Sequence, residues 1–247
     1  MRQINARIKI LLLSLFLICI PAYGQEAPAV KILEGANTAS IEIINSSNLI
    51  VNGHQRISRE SAVKVTDLMS GRHGSGTYAK IGKHYVVITA RHVAGDSPIF
   101  VIQGENGETV LGQLIYMSTT ADLAVLKVPQ LVTRTSASFK KAELEDFEVG
   151  DIVVYTGYPS SYELLTSVAM VSGYEVDYNA VLLQGFAWPG SSGSGVFDSR
   201  GKLRGIVVAI GTEKASGYSA QLIETLVYMT PINENDVNEI ERILNSP

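Results

Sequence analysis

The chain has 247 residues, 46% of them hydrophobic, with 22 glycines, 8 prolines and 1 cysteine. That composition is globular and long enough to bury one or two cores. The formal net charge is −4, which lacks the basic excess that draws nucleic acid or an anionic membrane, so neither is expected as a partner.

At the start, "MRQINARIKI" supplies Arg2, Arg7 and Lys9 without an acid, and residues 10–20 are almost wholly apolar. That run is well short of the roughly 20 residues a spanning helix needs. Ala22 and Gly24 follow at the spacing a signal peptidase prefers, so residues 1–24 are predicted to be a secretory signal cut after Gly24. The remainder is expected to be exported, periplasmic or secreted, with no stable membrane insertion. Cys19 lies inside the signal, and Ile18 before it is too bulky for a lipoprotein signal. The mature chain therefore holds no disulfide, and its net charge falls to about −7.

Residues 25–60 read as an N-terminal extension of weak periodicity, with a short strand at "ASIEII" and a polar turn at "NSSN". From residue 61 the chain becomes a series of short apolar runs: "AVKV", "TYAKIG", "YVVITA", "IFVIQ", "LAVLKV", "DIVVYTGY", "TSVAMV", "AVLLQGF", "SGVFD", "LRGIVVAIG" and "ETLVYMT". Short strands divided by Gly, Asn, Asp and Ser predict an all-β sandwich or pair of barrels. The C-terminus breaks the pattern. In "PINENDVNEIERILNSP", Asn233 can cap a helix with Asp236 as its reciprocal partner, Ile232 and Val237 staple the entry, and Val237, Ile240 and Leu244 share one face. A helix over about 234–245, packed on the barrels, is predicted.

Three places carry chemistry. "YVVITARHVAG" ends an apolar strand at His92, and "TTADLAVLKVP" places Asp122 just before another. Taken alone, a histidine after a strand is usually structural and an aspartate there is commonly a turn former. His54, His73 and His84 sit in polar turns without metal-ligand spacing and are read as solvated; no metal and no cofactor is expected. The third place is "AWPGSSGSGVFD", where Gly190, Gly193 and Gly195 surround Ser192. A phosphate loop needs Gly-Lys-Ser or Gly-Lys-Thr, and a dinucleotide fingerprint needs a following helix; here a strand follows. The esterase elbow Gly-x-Ser-x-Gly fails at Ser194. What remains is a serine that the chain order His, Asp, Ser can activate, with imidazole as base and carboxylate as its orienting partner. The Gly190 and Ser192 amides could then face an oxyanion.

The blocks "VVITARHV", "ADLAVLKV" and "PGSSGSGVFDSRGKLRGIVVAI" resemble the signatures of the trypsin-like, chymotrypsin-fold serine proteases, in particular the bacterial HtrA-type enzymes and related minimal endopeptidases. The resemblance spans about residues 61–232, with smaller echoes in "GSG" at 74–76 and "VYMTPI". It implies two six-stranded antiparallel β-barrels joined near 130–148, and an exported endopeptidase that acts on proteins or peptides through an acyl-enzyme. It also implies His92 as general base, Asp122 as its partner, Ser192 as nucleophile, and the amides of Gly190 and Ser192 as oxyanion hole. The specificity pocket would be walled by residues 185–188, with Phe186 and Ala187 among them, and by Val208, Ala209 and Ile210. No acid stands there, so small or medium apolar side chains are expected before the cut.

The chain also departs from the family. Ser191 replaces the acid that binds a new N-terminus in digestive relatives, and Val208 replaces a serine that buttresses the aspartate, which leaves Thr119 and Thr120 as expected supports for Asp122. HtrA-type enzymes append peptide-binding domains after the protease, whereas only the short helix is expected here, which puts cage-forming regulation of that kind in doubt. A peptide-binding or adhesive module with a shut cleft, or an exported esterase, are the alternative functions on the same fold.

Overall fold

The structure is a computed structural model that describes residues 53–214 and 220–246. The predicted signal, the "ASIEII" strand and the "NSSN" turn lie outside the described residues. Six strands close the first barrel in the order β1-β2-β3-β6-β5-β4: β1 (Ala62–Asp67), β2 (His73–Ile81), β3 (His84–Thr89), β4 (Ile99–Gln103), β5 (Thr109–Met117) and β6 (Ala124–Val128). Six more close the second in the order β10-β11-β12-β9-β8-β7: β7 (Ile152–Gly157), β8 (Leu165–Glu175), β9 (Ala180–Gln184), β10 (Gly195–Phe197), β11 (Leu203–Lys214) and β12 (Ala220–Pro231). The expected pair of six-stranded antiparallel barrels is therefore present. Eleven of its strands fall on the apolar runs of the sequence. The twelfth, β5, escapes that pattern because Gly112 interrupts it and a bulge between Leu114 and Tyr116 shifts its register, so its side chains do not alternate cleanly.

Strand β3 shows why so many runs are continuous rather than alternating. Val87 points into the first barrel with Val63, Val65, Tyr78 and Leu126. Val86 and Ile88 point outward into a second apolar layer with Leu203, Ile206, Val237 and Ile240. Both faces are dry, so both must be apolar. That outer layer joins the two barrels to the C-terminal helix, while Tyr155, Val171, Leu183, Val196, Val207 and Met229 fill the second barrel.

Three α-helices and two short 3₁₀ turns complete the described fold, the α-helices being α1 (Gly53–Ser61), the single turn α2 (Arg91–Ala94) and α3 (Glu234–Leu244). Helix α3 forms as its sequence predicts, with Asn233 Oδ1 accepting from the Asp236 N–H at 2.8 Å and Asn233 Nδ2 donating to Asp236 Oδ2 at 2.9 Å. Tyr116 of β5 donates to Asp236 Oδ1 at 2.6 Å. Burial, then that bond and the Asp236 charge, push the Tyr116 hydroxyl up to about 12.

Helix α1 lies within the stretch that sequence treats as an extension. It is polar, and it docks by hydrogen bonds. Ser58 Oγ donates to Thr156 Oγ1 at 2.8 Å, and Arg59 Nη1 donates to Thr166 Oγ1 at 3.0 Å and to the Leu164 carbonyl at 3.3 Å. These partners belong to β7, β8 and the loop between them, in the second barrel, whereas the chain leaves α1 directly into β1 of the first.

Candidate active site

Strands β3 and β6 are antiparallel neighbours whose last pair here is Thr89 with Ala124. The residues just beyond that pair therefore meet at one end of the first barrel. His92 sits on α2, and Asp122 follows a turn closed by Ser118 Oγ, which accepts the Thr120 and Ala121 N–H groups at 3.3 and 3.1 Å. Asp122 Oδ2 lies 2.6 Å from His92 Nδ1, and Asp122 Oδ1 accepts the His92 N–H at 2.9 Å. An ionised carboxylate only accepts, so Nδ1 carries the proton and Nε2 presents a lone pair. Burial works to raise the Asp122 pKa, but the His92 ring and the amides of His92 and Arg91 outweigh it and hold the carboxyl below its ordinary value. Among the described residues Nε2 has no intramolecular hydrogen-bond partner.

The support for Asp122 is thus the backbone of α2. The Thr119 and Thr120 hydroxyls are not in that role: Thr120 Oγ1 faces Ser118 Oγ at 3.5 Å. Val208 is buried in the apolar layer with Leu123 and Ala90. The histidines differ too. His54 is exposed, but the Nε2 atoms of His73 and His84 are covered and unpartnered rather than solvated. No three His, Cys, Asp or Glu side chains cluster as metal ligands among the described residues.

Ser192 sits in the turn that leads into β10. The Ser191 N–H donates to the Trp188 carbonyl at 2.8 Å, with Pro189 and Gly190 between them and Gly190 at φ +98°. Proline followed by a positive-φ glycine is the composition of a type II turn. A β-carbon at 190 would stand 2.7 Å from the Tyr158 carbonyl oxygen and 3.0 Å from the Ser160 nitrogen. Glycine is therefore required twice over, by conformation and by space. Ser191 closes the turn locally, its Oγ accepting the Trp188 N–H at 3.2 Å.

The next amides are engaged: Gly193 donates to the Val207 carbonyl at 2.7 Å and Ser194 to the Ser191 carbonyl at 3.0 Å. The amides of Gly190 and Ser192 donate to no described residue. Gly74 separates Ser192 from the histidine helix, since a β-carbon there would meet the Val93 methyls at 2.7 and 2.8 Å and the Ser192 carbonyl oxygen at 3.1 Å. The serine turn and the residue after His92 thus face one another across Gly74.

A cleft of about 220 Å³ adjoins Ser192, lined by Ala187, Trp188, Pro189, Val207, Ala209 and Ile210. Of the five residues expected to form a specificity pocket, Ala187, Ala209 and Ile210 line it. Val208 is buried on the other face of β11. Phe186 is 44% exposed, packs edge-on against Trp188 at 5.0 Å and borders a separate, smaller cavity with Tyr155 and Leu165. A wider groove of about 580 Å³ runs past His92 and Asp122, with Asp96, Thr120, Asp177 and Tyr178 on its walls. No sequence signal pointed to the 177–179 wall, because it comes from the β8–β9 connection.

Two antiparallel barrels, one carrying a carboxylate-held imidazole and the other a glycine-bounded serine, define a chymotrypsin-like protein. Residues 74–206 match the family described as "Trypsin-like peptidase domain", and the chain belongs to that family. It is 25% identical over 210 residues to the "Serine protease HtrA-like" of Staphylococcus aureus (strain USA300), a match covering 77% of this chain and 26% of that protein. The chain spans about a quarter of the length of the curated relatives it matches. Among solved structures, "HtrA-type protease AlgW with tripeptide" is similar with a TM-score of 0.63 and 18% identity, covering 78% of this chain and 62% of that one. The serine endoprotease from Yersinia pestis gives a TM-score of 0.61 and 19% identity, covering 80% and 69%. At such identities the structural likeness is one of fold.

Proposed function

We propose that this chain is an exported serine endopeptidase in which His92, Asp122 and Ser192 act as a triad. The observation that carries the proposal is the double grip of Asp122 on His92, through Nδ1 at 2.6 Å and the backbone N–H at 2.9 Å. That grip sets the tautomer and leaves Nε2 without an intramolecular hydrogen-bond partner among the described residues. In the proposed cycle, Nε2 takes the Ser192 hydroxyl proton as Oγ attacks the substrate carbonyl carbon, and the carbonyl π pair moves onto oxygen. The resulting oxyanion accepts from the Gly190 and Ser192 amides, each worth about 3 to 4 kcal/mol in the transition state. Imidazolium then gives its proton to the leaving amine as the C–N bond breaks, which leaves an acyl-enzyme. Water, deprotonated by the same Nε2, releases the acid and restores Ser192.

The 220 Å³ cleft beside Ser192 is the proposed seat for the side chain before the cut. Its described walls bear no carboxylate, so a lysine or arginine there would lose hydration without gaining a counter-charge. Small and medium apolar side chains are the proposed preference. Export rests on the basic start and apolar run of residues 1–24.

The test uses residues 25–247, purified and exposed to a fluorophosphonate probe, alongside digestion of a denatured protein mixture with cut sites read by mass spectrometry. Labelling and cleavage that both vanish in Ser192→Ala are expected. A folded protein that neither labels nor cleaves overturns the proposal in favour of a binding module.

A further inference from the structure

Ser75, near the start of β2, is completely buried and uses every polar group it has. Its N–H donates to the Ser192 carbonyl at 2.8 Å. Its Oγ donates to the Gly190 carbonyl at 2.7 Å and accepts the Tyr158 N–H at 2.8 Å. Its own carbonyl accepts from Thr89 Oγ1 at 2.7 Å. One first-barrel residue therefore holds the carbonyls of the two residues whose amides are free, and is itself tied to the strand end that leads to His92.

A trans peptide unit is planar, so fixing its carbonyl fixes its plane. Around the serine, four successive units are held. Ser160 N–H grips the Pro189 carbonyl at 2.7 Å and so aims the Gly190 N–H, while Ser194 grips the Ser191 carbonyl at 3.0 Å and so aims the Ser192 N–H. The two alternate units, 190–191 and 192–193, are gripped at their carbonyls by Ser75. Of these clamps only Ser75 comes from the barrel that bears His92.

We propose that Ser75 is a positioning residue that registers the oxyanion amides and the nucleophile turn against the histidine-bearing strand; this rests on the proposed endopeptidase function. Ser75→Ala removes only the Oγ bonds. The 190–191 unit then loses its anchor in the first barrel and keeps only the local bond from the Ser191 N–H to the Trp188 carbonyl at 2.8 Å, so the turn can shift as a unit about Gly190 while the rest of the chain stays folded. Losing an oxyanion donor outright costs about 10²- to 10³-fold in kcat, so a donor left in place but poorly aimed should cost about 10- to 100-fold.

The experiment measures kcat and KM on a peptide with an apolar residue before the cut, and the affinity of a matching peptide boronate, in wild type, Ser75→Ala, Thr89→Val and Ser192→Ala. The expected result for Ser75→Ala is a kcat lower by about 10- to 100-fold, KM within about threefold, and boronate affinity weakened in step with kcat/KM. Thr89→Val loosens Ser75 from its other side and is expected to lower kcat about three- to tenfold in the same pattern. It carries the test if Ser75→Ala does not fold. Variants that keep kcat and boronate affinity within twofold of an active wild type overturn the inference alone. A wild type without turnover dependent on Ser192 overturns the proposed function, and the inference with it.

Discussion

Replacing Asp122 by asparagine tests the electrostatic logic of the site without changing its shape. The carboxylate has two tasks: Oδ1 accepts the His92 N–H at 2.9 Å, and Oδ2 faces Nδ1 at 2.6 Å. A carboxamide has one acceptor and one donor end. If its oxygen keeps the backbone bond, its NH₂ faces Nδ1, and the ring must carry its proton on Nε2, where it can no longer accept one from Ser192. The flipped amide would set NH₂ against the His92 N–H, two donors facing each other with the hydrogen bond lost, a cost of about 1 to 3 kcal/mol. That bias alone leaves the useful tautomer in roughly one molecule in ten to one in a hundred. The useful minority also lacks the negative charge that stabilises imidazolium. Together the two effects amount to a fall in kcat of about 10⁴, or about 5.5 kcal/mol in the barrier. Peptide hydrolysis at neutral pH measures the fall, and nitrogen-15 NMR of the imidazole reports the tautomer. Activity within tenfold of wild type, or a ring still protonated at Nδ1, refutes this reasoning.

Gly190→Ala should force the 188–191 turn off the Tyr158 carbonyl and lower kcat by about 10²-fold or more with little change in KM, as steady-state kinetics will show. Ala209→Leu should fill part of the cleft beside Ser192 and move preference toward alanine or serine before the cut, which profiling on a peptide library detects; an unchanged profile would remove that cleft from the specificity assignment. Tyr116→Phe leaves Asp236 Oδ1 short of a donor and should cost about 1 to 3 kcal/mol at pH 7 in urea unfolding. The same variant has a pH signature. Because the native Tyr116 hydroxyl sits at about 12, above an unfolded value of about 10, its contribution is complete below pH 10 and disappears as pH climbs to 12. The phenylalanine protein should lack that alkaline component of the stability profile.

Much of the site can be found in the sequence because each chemical group stands at the end of an apolar run or within a glycine-rich turn. His92, Asp122 and Ser192 are visible in that way, and so is the Asn233 cap. Pairing is less visible. That residues 92 and 122 meet depends on β3 lying beside β6, a long-range choice that local periodicity does not encode. Strand β5 is obscured by its own bulge. Helix α1 is obscured because its docking uses Ser58 and Arg59, with Ile57 as the one large aliphatic side chain in "GHQRISRES", so no amphipathic stripe announces it. The support of Asp122 escapes for a similar reason: it is supplied by main-chain amides, which every residue possesses and no residue type marks. Ser75 is harder still, since it bonds Gly190 across 115 residues of chain.

The join between Ser61 and Ala62 has a mechanical meaning. Helix α1 is fastened to one barrel and the very next residue enters the other, so no slack remains for a hinge. Arg134 rivets the same seam, donating to the Arg59 carbonyl at 3.2 Å and the Tyr158 hydroxyl at 2.8 Å. The two barrels are thereby held by a splint that includes none of the residues of the proposed triad. A few flexible residues inserted at that join should slacken one barrel against the other while leaving each barrel intact.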